Sequence, residues 1–279
     1  MENDNRGVIY VLIAAIAFSL GGLLVKLIPY SALAIASGRC VFSSVIIGSY
    51  FVITKRKLVI NKTTIIGGLF VMANMLTYIV SNQLTTAANA IVLEYTSSIF
   101  IIIFSFIFFR RMPNKKDIIA TALVFVGIIL VFVEGIKTDG LLGIMIALLG
   151  GLIYSLILMS NAFKGGDSTS SMLIGHVLNA IIFSPFLIKE VDVTSISFVY
   201  LIIFGVIQSG LGFLMLSLGT KHCEPLTASL VASIEPVLDP ILVALFYHET
   251  MTPLSFVGIS IVIITIIAYN ALSSKRRNS

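Results

Sequence analysis

What the chain has least of is charge. Only 11% of its 279 residues are Asp, Glu, Lys or Arg, against about 25% in an ordinary soluble domain. So small a supply cannot cover a water-facing surface, which excludes a soluble globular domain. Tryptophan is absent and histidine occurs three times. The two cysteines, Cys40 and Cys223, lie in different halves, which gives neither a disulfide framework nor a zinc site. No HExxH, GxSxG or nucleotide-phosphate loop is present. The sequence therefore offers no nucleophile with its base, no metal cluster and no ATP site, and no cofactor is expected. Also missing is the apolar–polar alternation over ~10-residue runs that a membrane barrel requires.

What is there is long apolar sequence: 58% of residues are hydrophobic and the mean hydropathy is +1.07. Ten apolar segments can be marked off, at 7–26, 31–53, 63–82, 88–109, 118–134, 141–161, 171–188, 199–218, 228–246 and 254–272. Most approach the ~20 residues that a helix needs to cross ~30 Å of hydrocarbon. The expected fold class is an all-α integral membrane protein with ten transmembrane helices. The first run lacks a small-residue cleavage site and reads as the first span rather than a removed leader.

The basic residues follow the loops. With the N-terminus placed inside, fourteen Lys and Arg fall on the cytoplasmic side, chiefly in 55–62, 110–116 and 275–277. Three (Lys26, Lys137 and Lys189) fall outside, and Arg39 falls within the second segment. By the positive-inside rule both termini are cytoplasmic, which requires an even number of spans. The net charge of +5 thus reports topology and lipid-headgroup contact, not nucleic-acid binding. The expected location is a bacterial-type plasma membrane.

Sliding residues 87–134 by 138 positions lands them, without a gap, on 225–272, so that segment four falls on segment nine and five on ten. Gly7, Phe18 and Ser19 fall on Gly143, Tyr154 and Ser155 at an offset of 136. Five spans per half is an odd number, so the two repeats, 1–137 and 138–279, are expected to be inverted. Loop charge agrees. Residues 110–117, RRMPNKKD, hold four basic residues, and the counterpart 248–255, HETMTPLS, holds no Lys or Arg. Inverted repeats are a recurrent plan of secondary transporters, because two similar halves give inward- and outward-open states of similar energy.

Ser37-Gly38-Arg39, residues 89–104 (NAIVLEYTSSIFIIIF) and residues 227–249 (TASLVASIEPVLDPILVALFYHE) resemble the drug/metabolite transporter superfamily, in particular its EamA branch. The likeness spans nearly the whole chain. It implies carriage of a small metabolite by alternating access, often coupled to protons or an electrochemical gradient. Ser98 departs from the pattern, which commonly has proline there, so the first half is expected to lack the helix break that Pro236 gives the second.

Glu94, Glu235 and Asp239 are acids within apolar segments four and nine, and an intramembrane carboxylate is a functional-site hypothesis by default. Glu235 and Asp239 are four apart and share a helical face. Pro236 and Pro240 remove backbone donors and kink the helix, freeing the carbonyls of Ala232 and Pro236 to face a ligand or water. Glu235 serves either the scaffold, paired with Arg39, or the substrate. Glu94 and Asp239 are expected to bind a cationic substrate or a proton, or to hold helices together in protonated form. A carboxyl in a low-dielectric site can exchange a proton near neutrality. His176 serves as a proton relay or as a neutral helix–helix group. Asn74 and Tyr78 share a face, and Tyr95, Tyr154 and Gln208 are further candidate contacts, the tyrosines offering ring faces to an ammonium group.

The expectation is a proton-linked carrier of a small amine-bearing solute: an amino acid, a choline-like compound or a polyamine fragment. One alternative is a carrier of a neutral or aromatic metabolite whose acids serve proton coupling alone. A remote one is an intramembrane enzyme or flippase-like protein. The expected partners are a small-molecule substrate, a proton or other ion, and membrane lipid. Ten spans can enclose a cavity in one subunit, so a monomer suffices, with a homodimer also compatible.

Overall fold

The computed structural model describes residues 2–85, 87–133, 136, 140–238, 241–242 and 252–276, and their regular structure is all helical. The first half comprises α1 (Glu2–Phe18), α2 (Gly21–Leu27), α3 (Ala32–Ile53), α4 (Lys62–Leu84), α5 (Ala87–Glu94), α6 (Ser97–Phe109) and α7 (Lys115–Phe132). The second comprises α8 (Leu141–Leu158), a 3-10 turn at Ser160–Ala162, α9 (Ser168–Ile182), α10 (Ser184–Glu190), α11 (Ile196–Ile203), a π-helical stretch Phe204–Leu211, α12 (Gly212–Gly219), α13 (Pro225–Ala232) and α14 (Pro253–Arg276). Polar residues start the helices where the chain leaves the apolar runs. Asn61 and Thr64 form a reciprocal capping box on α4, and Asp117 accepts from Asn114 N at 2.9 Å on α7. Each such cap satisfies backbone donors that a helix start leaves without partners.

Seven helical stretches among the described residues are long and apolar enough to cross a membrane, or eight if α9 and α10, bent by 55°, form one span. Two of the ten expected spans fall short for identifiable reasons. α7 opens with Lys115, Lys116 and Asp117, which shorten its apolar part. The ninth is described as a helical run only over Pro225–Leu238. Between the helices, Val11, Ile47, Met75, Leu158, Leu216 and Leu230 are no more than 1% exposed. Val52, Ile53, Met112 and Ile188 are at least 75% exposed, an arrangement suited to lipid contact rather than water.

Packing repeats between the halves. A Cβ added at Gly7 would lie 2.8 Å from the His222 carbonyl carbon and 2.9 Å from Cys223 N. At Gly143 it would lie 2.8 Å from the Leu84 carbonyl carbon and 2.9 Å from the Thr85 Cβ. These two contacts map onto each other at the sequence offsets of 136 and 138. The start of each half thus packs against a helix end in the other, so close that only glycine fits.

The clearest correspondence is a break in both repeated helices. Thr96 N bonds Leu93 O at 3.2 Å and Phe100 N bonds Thr96 O at 3.1 Å. At 138 residues further on, Ile234 N bonds Val231 O at 3.1 Å and Leu238 N bonds Ile234 O at 2.9 Å. The expectation that only the second half breaks is therefore corrected: α5 ends at Glu94 and α6 begins at Ser97 with no proline present. Side-chain hydroxyls take over the carbonyls instead. Thr96 Oγ1 donates to Leu93 O at 2.5 Å and Ser98 Oγ to Tyr95 O at 3.2 Å, a local competition with the helical ladder.

Two clamps join the halves at loops. In one, Asp167 caps α9 and meets Arg56 of the first half and Lys221, whose Nζ is 3.0 Å from Asp167 Oδ1. Ser170 N donates to Asp167 Oδ2 at 3.0 Å, and Val59 N donates to Ser170 Oγ at 3.0 Å. In the other, Ser31 N donates to Glu190 Oε2 at 2.5 Å, and Tyr30 OH lies 3.3 Å from Ser195 Oγ. Burial pushes the Asp167 carboxyl up, but hydrogen bonds from Ser170 and Lys221 outweigh this and hold it below the usual carboxylate range. The ammonium of Lys221 is disfavoured by its own burial, more than Asp167 restores, so the gain of the cluster resides on the aspartate.

A depressed carboxyl pKa contributes stability that is present above the unfolded value of about 3.9 and is lost as pH falls through the lower folded value. Asp167→Asn is expected to destabilise the purified protein by about 1–3 kcal/mol at pH 7. The difference from wild type should shrink in thermal melts as pH drops below about 4. An unchanged midpoint at pH 7 would refute the role given to this cluster.

Candidate functional site

The two broken helices meet at a narrow cavity. It is lined by Phe18, Arg39, Asn74, Met75, Tyr78, Glu94, Tyr95, Tyr154, Gln208, Phe213 and Glu235. Its lining includes two pairs of repeat mates, Phe18 with Tyr154 and Met75 with Phe213, so the cavity draws equivalent positions from both halves. Its volume is about 40 Å³, enough for a few waters and far below the ~300 Å³ at which small-molecule sites begin. Admitting a metabolite requires the lining to part.

The acids are held by neutral donors. Asn74 Nδ2 donates to Glu94 Oε1 at 3.2 Å and also lies 3.4 Å from Gly150 O. Tyr95 sits in the break, and its OH is 2.8 Å from Glu235 Oε2 and 2.9 Å from Ala232 O. Pro236 has no N–H, so the Ala232 carbonyl loses its helical donor. The expectation that this carbonyl faces a ligand or water is corrected: a phenol from the other half occupies it. One phenolic proton cannot serve two acceptors. If Glu235 is ionised, the carbonyl and the carboxylate compete for that proton. If Glu235 is protonated, it donates to the phenol oxygen while the phenol donates to Ala232 O, and all three groups are satisfied. The geometry thus links the protonation of Glu235 to the contact between the halves.

Arg39 lies in the first half of α3, is 3% exposed, and places its guanidinium carbon 5.3 Å from the centre of the Phe204 ring. Among the described residues no ion pair within 4.0 Å joins Arg39 to Glu235, one of the two roles the sequence left open for that acid. Tyr95 occupies Glu235, and the ring of Phe204 faces the guanidinium. Gln208 lies in the π-helical stretch and accepts from Ser209 Oγ at 2.8 Å. Such irregular turns recur at functional sites.

His176 is not among the cavity-lining residues. It is fully buried behind Phe213, with ring centres 5.0 Å apart, and its Nδ1 is 2.7 Å from Met172 O. That contact puts the proton of a neutral ring on Nδ1, and Nε2 is buried without a hydrogen-bond partner among the described residues. Pro236 is buried beside the break and does not line the cavity. Asp239 and Pro240 lie outside the described residues. Phe18, Met75 and Phe213 line the cavity without having been singled out in the sequence. The pairing of Phe18 with Tyr154 in the repeat was the available signal. Among the described residues no group of three or more His, Cys, Asp and Glu could hold a metal ion.

The model of the EamA-like transporter family matches twice, over residues 5–133 and 141–271. A solved crystal structure superposes with a TM-score of 0.81 over 99% of each chain at 14% sequence identity, a likeness that speaks for the fold alone. No curated protein matches the sequence.

Tyr95→Phe is expected to destabilise the protein by about 1–3 kcal/mol, because a buried carbonyl and a carboxyl group both lose the phenol. Thermal unfolding in detergent measures this, and a midpoint equal to wild type would show that the contact between halves carries no energy.

Proposed function

Because the chain belongs to the EamA-like transporter family, a family of transporters and not of enzymes, we propose that this multi-pass membrane protein is a secondary carrier of a small amine-bearing metabolite. It works by alternating access between two inverted five-helix repeats, residues 1–137 and 138–279. Ten spans cross the plasma membrane, with both termini on the cytoplasmic side. What supports this foremost is the cavity lined by repeat mates from both halves and bearing Glu94 and Glu235. Reciprocal packing of Gly7 and Gly143 supports the two-fold plan, and the contracted cavity supports a cycle in which the halves must part.

Glu94 receives the ammonium group, with Asn74 fixing its carboxylate and Tyr78, Tyr95 and Tyr154 supplying ring faces. Glu235 carries the coupling proton through its exchange with Tyr95, and Asp239, four residues on in the sequence, is assigned the same task. Arg39 and Gln208 complete the cavity wall. A second reading, in which the acids serve protons alone and the solute is aromatic or neutral, is favoured by Phe18, Tyr78, Tyr154 and Phe213 in the lining.

The test is a thermal-shift screen of purified protein against amines and amino acids at two pH values. A ligand at one hundred times its dissociation constant stabilises by about 2.7 kcal/mol. Glu94→Gln is expected to weaken amine binding at least about tenfold, the loss of roughly one charge-assisted contact. Retention of full amine affinity in Glu94→Gln would remove the substrate role of this acid and favour the second reading.

A further inference from the structure

Behind the cavity wall lie two polar side chains that the carrier reading does not use. His176 and Asn179 are three residues apart on α9, so they share a helical face, and both are fully buried. Each has one polar atom engaged. His176 Nδ1 is 2.7 Å from Met172 O, and Asn179 Nδ2 is 3.7 Å from Met75 Sδ. A neutral ring with its proton on Nδ1 leaves Nε2 as an acceptor. A thioether accepts and does not donate, so the amide turns its NH2 toward Met75 and leaves Oδ1 as a second acceptor. Neither Nε2 nor Oδ1 has a hydrogen-bond partner among the described residues. Two buried acceptors left this way on one face cost stability, which packing alone does not repay.

Met75 and Phe213 separate this face from the cavity, which both of them line. Asn179 touches the first through its sulfur, and the His176 ring packs against the second at 72° with centres 5.0 Å apart. The two are repeat mates at the 138-residue offset, one from each half, so parting the halves draws this partition open. Met75 is unbranched and readily changes its shape. The repeat points the same way. At an offset of 137, between the 136 and 138 that relate other spans, His176 falls on Arg39, a residue that does line the cavity.

We propose that the opened cavity extends past Met75 and Phe213 to His176 and Asn179, and that these two form a subsite for the far end of the solute. This rests on the carrier reading above and adds a specificity determinant to it. Two uncharged acceptors call for a neutral donor, a hydroxyl or a carboxamide NH2. They offer no counter-charge to a second ammonium group, and a methyl group would leave both of them unanswered. The solute therefore holds its ammonium at Glu94 and presents an O–H or N–H group to α9.

The experiment measures binding to the purified full chain by thermal shift, for matched amines in which a terminal hydroxyl replaces a methyl. The pairs are 3-aminopropan-1-ol with butylamine, 4-aminobutan-1-ol with pentylamine, and 5-aminopentan-1-ol with hexylamine. At least one hydroxylated amine is expected to bind about tenfold tighter than its partner, or more, as in sites built to hydrogen-bond a hydroxyl. His176→Phe and Asn179→Leu are each expected to remove that preference by weakening the hydroxylated member. Each is also expected to keep the unfolding midpoint at or above wild type, because an unanswered buried acceptor is removed. Pairs that bind equally to the wild-type protein would overturn the subsite and leave the amine carrier standing. So would a preference that survives both substitutions. A lowered midpoint with the preference intact would assign His176 and Asn179 to helix packing instead. If no amine of either kind binds, the carrier reading falls and the subsite with it. Should one variant fail to fold, the other decides, and should both fail, the wild-type ratio decides alone.

Discussion

Hydrocarbon supplies no water to a backbone group that loses its partner, and every irregularity in a membrane helix must be answered from within the protein. The contact of Tyr95 with Ala232 answers that constraint. Pro236 strips the carbonyl of its donor, and a phenol from the matching helix of the other half replaces it. Because the same oxygen also meets Glu235, one side chain ties together a helix break, an acid and the junction of the repeats. The cavity lies where it does because both helices are interrupted at that level, and interruption is what lets polar side chains converge without exposing backbone to lipid.

The two interruptions reach the same backbone pattern by different chemistry. In the second half proline imposes the break covalently. In the first, the hydroxyls of Thr96 and Ser98 draw carbonyls out of the ladder. A Cβ at Gly151 would meet the carbonyls of Leu93 and Glu94 at 2.5 and 3.0 Å, so the neighbouring helix backbone closes over them. The equivalence of the halves therefore resides in hydrogen-bond register more than in residue identity, which is why so few identities survive the 138-residue offset.

That difference explains what was legible in the sequence. Lipid sets residue spacing and polarity directly, so the helical membrane class and the offset of the repeats could be read from apolar runs and loop charge. Glu94, Arg39, Asn74 and Gln208 could be singled out because a polar group at bilayer depth is conspicuous. The break at Tyr95 and Thr96 could not, since threonine and serine are common within membrane helices and only their tertiary setting turns them against the ladder. The phenol beside Glu235 was missed for a related reason. Charge drew attention to Arg39, whereas Tyr95 OH lies 2.8 Å from the carboxyl group. For His176, read from the sequence as either a relay or a neutral helix group, a carbonyl four residues back meets Nδ1 while Nε2 is buried without a hydrogen-bond partner among the described residues. The Asp167 cluster was invisible because Arg56 is 111 residues away in the chain.

The clamps at the two ends are built from unlike materials. One is ionic, with two cations on a single aspartate. At the other, a lone carboxylate meets a backbone amide, and a phenol meets a serine hydroxyl. Counterions weaken the first far more than the second. On the proposed alternating-access reading, the likeness of the halves would make the two orientations similar, and this unequal pair of fastenings would tilt the balance between them. The resting preference would then vary with ionic strength, so that the salt content of the surroundings would trim which face is shown.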